Sequence, residues 1–167
     1  MSYTAIKAVW PGEKTETLIE LKNSQGSAPL IWGAFSERYL KSKYSYLLDD
    51  ENEIWSLYKR TDILPSLRAV LLMTFDRAYI LKKNYEKAAA DIEFFLKFFD
   101  IPKSTVNHWP RIAEIFKENL DIPAIGFQMT SVSEDLFEGT WNAEKEELDP
   151  PDWKEFWSVY DELDNYK

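Results

Sequence analysis

The chain contains no cysteine. That absence removes disulfide staples, thiol nucleophiles and thiolate metal sites together, and it fits a reducing cytoplasm. A single histidine, His108, leaves zinc ligation by histidine and cysteine without a ligand set. As a general base His108 would need an orienting acid, and the pattern places none beside it. The nearby hydroxyls, Ser104 and Thr105, would form local loop bonds, so His108 reads as a helix-start residue beside Trp109. Glycine is also scarce, at positions 12, 26, 33, 126 and 139 only. No two of these fall at the spacing of a phosphate-cradling loop, which argues against a nucleotide-binding enzyme. Long apolar runs are missing as well. The stretch from Ala69 to Met73 is far shorter than the ~20 residues that cross a bilayer. The opening residues carry no apolar segment behind a basic start. Membrane association is therefore not expected, and a cytoplasmic location is.

What is present is aromatic and acidic. The 167 residues suit a single domain, 1–167, and a chain of this size buries about two-thirds of its unfolded surface. Aromatics make up 16%, with seven Trp, which supplies either a heavy core or an adhesive face. The net charge of −9 is unevenly spread. Residues 1–83 hold 12 basic and 10 acidic side chains, whereas residues 84–167 hold 8 and 19. Residues 134–167 alone hold 3 basic and 12 acidic, a net charge equal to that of the whole chain. Such a field repels nucleic acid and attracts a basic partner.

Tyr3 to Val9 predicts a strand, Trp10-Pro11-Gly12 a turn, and Thr17 to Lys22 a second strand, with helix as the alternative for that segment. Helix signals follow: Ser27 with Pro29, Asp49-Asp50-Glu51 before Ile54, and Pro65 ahead of Leu67, Leu71 and Phe75. Asn84 precedes a stripe of Tyr85, Ala88, Ala89, Ile92, Phe95, Leu96 and Phe99 at helical spacing. Asn107 or Trp109-Pro110 opens another helix with Ile112, Ile115, Phe116 and Leu120 inward. Ala124 to Val132 looks extended, and its period of two through Ile125, Phe127 and Met129 could pair it with the N-terminal strands. A polar, acidic connection leads to a last helix, capped by Asp149, whose apolar face would be Trp153, Phe156, Trp157, Tyr160 and Leu163. The expected fold is α+β but predominantly α-helical, with helix over at least half the chain. About six helices would surround one core with a small two- or three-stranded antiparallel sheet; all-α is the alternative.

Two clusters compete for function. Arg38, Lys41 and Lys43 beside Tyr39, Tyr44 and Tyr46 make a basic-aromatic patch of the kind that stacks bases, against which the net charge weighs; no nucleic acid is expected. In the C-terminal part, Trp141 stands alone between Gly139-Thr140 and an acidic run, in a segment without amphipathic period. It is either a plug on the core edge or an exposed anchor with charges around it to steer a partner. The expected partner-binding residues are Trp141, Glu144, Glu146, Glu147, Asp149, Asp152, Glu155 and Glu162. Asp149 to Glu155 lacks the glycine and alternating ligands of a calcium loop, so no metal or cofactor is expected. In size, charge and aromatic richness the chain resembles the immunity proteins that bacteria use against nuclease toxins. That resemblance implies a non-catalytic inhibitor of a basic protein partner, and it carries no motif from which residue roles could be transferred. The alternatives are a homo-oligomeric structural or assembly protein and a carboxylate-dependent hydrolase, for which no spacing selects a pair of acids.

Overall fold

The computed structural model describes residues 4–22, 24–40, 50–129 and 135–167. Lys41, Lys43, Tyr44 and Tyr46 of the basic-aromatic cluster, and the helix-start Asp49, lie outside the described residues.

β1 (Ala5–Trp10) and β2 (Lys14–Glu20) form an antiparallel hairpin. Gly12 takes a left-handed φ of 79°, which glycine adopts without steric cost, and Glu13 N–H donates to the Trp10 carbonyl at 2.9 Å. β4 (Ala124–Gln128) pairs antiparallel with β1, with Ala5 opposite Gln128 and Val9 opposite Ala124, as its period of two predicts. β4 also pairs antiparallel with β3 (Ala78–Leu81), and β3 pairs in parallel with the short β7 (Trp157–Ser158). The sheet order is β2-β1-β4-β3-β7.

This corrects the expectation of a predominantly helical chain around a small antiparallel sheet. Among the described residues the fold shows a five-stranded mixed sheet, a two-stranded sheet and six α-helices, with 46% helical and 21% strand. The physical reason lies in two short strands. β3 has four residues, too few for a period to declare itself, and it starts after Arg77 in a left-handed conformation (φ 64°). β7 hides inside a false helical stripe. Trp153, Phe156, Trp157 and Tyr160 have helical spacing, yet their backbone is a 3-10 turn (Trp153–Glu155), then β7, then α6 (Val159–Asp164). Asp149 does not cap the last helix: Ser158 holds the N-cap position of α6 without a side-chain cap bond, and Asp152 caps only the 3-10 turn, accepting from Lys154 N–H at 3.0 Å. The false stripe even divides between two sides of the sheet. Trp153 and Phe156 join one apolar cluster, whereas Val159, Tyr160 and Leu163 join the other.

The remaining helices are α1 (Ala28–Phe35), which runs on into a π-helical turn at Ser36–Leu40, α2 (Asp50–Ser56), α3 (Pro65–Leu72), α4 (Tyr85–Phe98) and α5 (Trp109–Glu118). Pro29, Pro65 and Pro110 all sit in first turns, where a missing N–H costs nothing. Ser27 and Asn84 occupy N-cap positions, but neither side chain makes a cap bond. The α4 stripe is buried as its spacing predicts, with Phe99 partly buried at the end. Leu120 departs from expectation: α5 stops at Glu118, and Leu120 is left exposed. Among the described residues no helix is long and apolar enough to cross a membrane.

Strand alternation assigns the two faces of the sheet. Ile6, Ile80, Ile125 and Phe127 enter the main core beneath the helices. On the opposite face lie Lys7, Val9, Tyr79, Leu81, Ala124 and Gly126, and there the chain from Asp135 to Phe156 crosses the sheet like a strap. Both faces of β4 are consequently buried.

One buried polar pair ties α6 to α4. The Tyr160 hydroxyl donates to Asp91 at 2.6 Å. Burial, and secondarily this bond, holds the hydroxyl well above the ordinary phenol range. Because the folded-state value is raised, the stabilising contribution is whole below about pH 10 and is lost as pH rises beyond it. Titration followed by phenolate absorbance is expected to show Tyr160 ionising only together with loss of circular dichroism. Normal ionisation in the folded state would contradict this arrangement.

Candidate binding hairpin

Within the strap, β5 (Thr140–Asn142) and β6 (Glu147–Asp149) form a second, separate hairpin. Trp141 stands directly opposite Leu148. A cross-strand pair of this kind shares one face of the ribbon. Trp141 is 61% exposed and Leu148 48%, and neither belongs to an apolar cluster of the core. Trp141 is therefore not a plug on the core edge.

The other face of the ribbon is polar and internally bonded. Asn142 Nδ2 donates to Asp149 at 2.8 Å, and Lys145 Nζ donates to the other carboxylate oxygen of Asp149 at 3.1 Å. The Asn142 bond, then the Lys145 bond, holds the Asp149 carboxyl below the usual carboxylate range. Asn142 Oδ1 also accepts from the N–H groups of Glu144 and Lys145, at 3.1 and 3.2 Å, which closes the turn from the inside. Glu146 leaves that turn at a left-handed φ of 53°. Glu144, Glu146 and Glu147 are exposed, and none pairs with a cation among the described residues.

The hairpin's base is firmly held. Buried Lys7 pairs with Asp135 and also donates to Thr17 at 2.8 Å. Leu136 N–H donates to the Gln128 side chain at 2.9 Å, and Thr15 Oγ1 donates to the Phe137 carbonyl at 3.1 Å. Phe137 lies over Gly126, where an added Cβ would come within 2.6 Å of its ring, and against Phe156 at 4.9 Å between centroids. Gly139 has φ 108°, and a Cβ there would meet the Asp149 carbonyl at 1.9 Å. That carbonyl can sit against the strap only because residue 139 has no side chain.

The expected binding residues thus separate into groups. Trp141, Glu144, Glu146, Glu147 and Asp149 share the hairpin. Asp152 caps the 3-10 turn, and Glu155 pairs with Arg77 at 3.4 Å beside the hairpin's foot. Glu162 lies elsewhere, on α6, where it accepts from the Tyr58 hydroxyl at 2.9 Å and from Asn165 at 3.2 Å. The residue that the sequence reading missed is Leu148. Its signal was available: Thr-Trp-Asn and Glu-Leu-Asp are each polar, apolar, polar, and they flank a polar turn. No protein-family model, curated protein or solved structure matches this chain.

Proposed function

We propose that the chain is a non-catalytic cytoplasmic binding protein that engages a basic protein partner through the β5–β6 hairpin, in the manner of an inhibitor of a bacterial toxin. The exposed Trp141–Leu148 pair beside three unpaired glutamates carries this reading. A desolvated aromatic anchor supplies lifetime, while surrounding charge supplies encounter rate. The internal bonds of the hairpin and its clamped base mean that little ordering entropy remains to oppose association. A net charge of −9 favours a partner of opposite sign and opposes self-association.

The two halves of the surface should separate kinetically. Replacing Glu144, Glu146 and Glu147 by Gln is expected to slow association by about tenfold at low salt, with dissociation little changed. Trp141→Ala is expected to act on dissociation, raising the off-rate by about thirtyfold. The experiment immobilises wild-type protein and the Trp141→Ala/Leu148→Ala variant in parallel. Each protein retained by wild type alone is purified, and its kinetics are measured across salt concentration. A retained basic protein whose on-rate falls steeply with salt supports the proposal. Retention that does not discriminate the two baits, or kinetics indifferent to salt, defeats it.

A further inference from the structure

Away from the hairpin, a depression of about 600 Å³ opens between α3, α4 and α6. That size accepts a small organic molecule. Four cations line it, Arg68, Lys83, Lys87 and Lys167, against two carboxylates, Asp161 and Asp164. In a chain of net charge −9 this wall is locally positive.

Arg68 is the unusual member, only 3% exposed. Its Nε donates to the Ile63 carbonyl at 2.9 Å, and its Nη1 donates to the carbonyls of Tyr58 and Tyr166 at 3.1 and 2.8 Å. These bonds fix the guanidinium plane. They come from neutral dipoles, however, and among the described residues no carboxylate pairs with it and Nη2 has no protein partner. The carboxylate that acts on Arg68 through space, Asp62, is itself paired with Arg60; a buried cation so weakly compensated is costly, and an anion in the depression would relieve that cost. Lys83, in the 3-10 turn just before α4, and Lys87, in the first turn of α4, are exposed and without an ion pair among the described residues. Lys87 Nζ lies 4.9 Å from the Tyr160 ring centroid, and Lys167 reaches Asp164 at 3.4 Å. The Tyr160 ring, Leu163 and Pro65 give the depression an apolar side.

We infer that this depression is a binding site for a small organic phosphate, with Arg68, Lys83 and Lys87 holding the phosphate group and Pro65, Tyr160 and Leu163 contacting the organic body. The excess of two positive charges matches a dianionic phosphate better than a monoanionic carboxylate, and a planar guanidinium beside two ammonium groups suits its oxygens.

The test titrates the full chain with phenyl phosphate, and with benzoate as the carboxylate counterpart, at constant ionic strength. Binding is followed by calorimetry and by amide NMR shifts. Saturable binding of phenyl phosphate is expected, with shifts centred on Lys83, Lys87 and Leu163. The Lys83→Gln/Lys87→Gln variant should weaken it about tenfold or more. A Lys22→Gln/Lys103→Gln control, which removes the same charge elsewhere, should leave it unchanged. The substituted lysines are exposed, so melting temperature checks that each variant is folded. Should the first variant fail that check, the wild-type shift map decides. Absence of saturable binding, shifts scattered away from the depression, or equal weakening by both double variants overturns the proposal. Benzoate binding as tight as that of phenyl phosphate overturns the phosphate assignment.

Discussion

Lys7→Ala is expected to cost about 3–5 kcal/mol of stability, the range for removing one partner of a buried ion pair. The Lys7 side chain is 3% exposed and that of Asp135 15%. Without the ammonium, the carboxylate stays under the strap with the Phe137 N–H, at 3.0 Å, as its remaining described partner, and the Thr17 hydroxyl loses its donor. The penalty comes from the stranded charge more than from the lost attraction. Lys7→Met combined with Asp135→Leu should therefore be far less destabilising than either single change. Denaturant titration of the three variants measures this. A loss below about 1 kcal/mol in Lys7→Ala would show that Asp135 is rescued by water and that the pair is not the clamp described here. Because the pair holds the base of the β5–β6 hairpin, the same substitution is also expected to weaken partner binding beyond what the unfolded fraction explains.

Phe95→Ala should be as costly, about 3–5 kcal/mol, by a different route. Phe95 is fully buried at the centre of the α4 stripe, stacked on Phe35 at 5.8 Å and against Phe99 at 4.7 Å between ring centroids. Truncation removes its transfer free energy and leaves a cavity that two rigid rings cannot close. Here binding by the molecules that remain folded should be unchanged, since the stripe lies on the helical side of the sheet and the hairpin on the other. A cost below about 1 kcal/mol would mean that this face is not core.

Long periodic segments were legible, and short ones were not. Ile125 and Phe127 alternate strongly enough to announce β4 and its pairing with β1, and seven apolar residues at helical spacing announce α4. β3 and β7 have four residues and two. Their identity is set by partners distant in sequence, and that information has no local pattern. The false stripe from Trp153 to Tyr160 shows how aromatics destined for opposite faces of a sheet can imitate one face of a helix. At the hairpin, an aromatic without amphipathic company left Trp141 open between core plug and exposed anchor, and it is the pairing with Leu148 on an exposed ribbon face that decides. Leu148 went unread because the turn carries no Asn-Gly pair. Asn142 closes the turn through its side chain, and Glu146 takes the left-handed position that glycine usually fills. Asp149 before two prolines has the chemistry of a helix cap, but the last helix begins only after Ser158, and Asp152 caps no more than the short 3-10 turn. The Asn142 and Lys145 bonds commit Asp149 to the hairpin.

The strap also sets an order of events during synthesis. β1 and β2 are neighbours in sequence and can pair as soon as they emerge. Lys7, however, is separated from Asp135 by 128 residues, and β3 waits for Trp157 and Ser158. Until that late portion appears, a sheet made of β1–β4 would offer Val9, Ala124 and the bare backbone at Gly126 to solvent on one side. Contacts of such long sequence separation close slowly. Between the synthesis of β4 and that of the strap, the nascent chain thus carries an uncovered apolar surface, the condition under which intermediates associate or recruit chaperones. Lys7, still solvated at that stage, puts a charge in the middle of the open face, where burying it unpaired would oppose face-to-face packing of unfinished sheets.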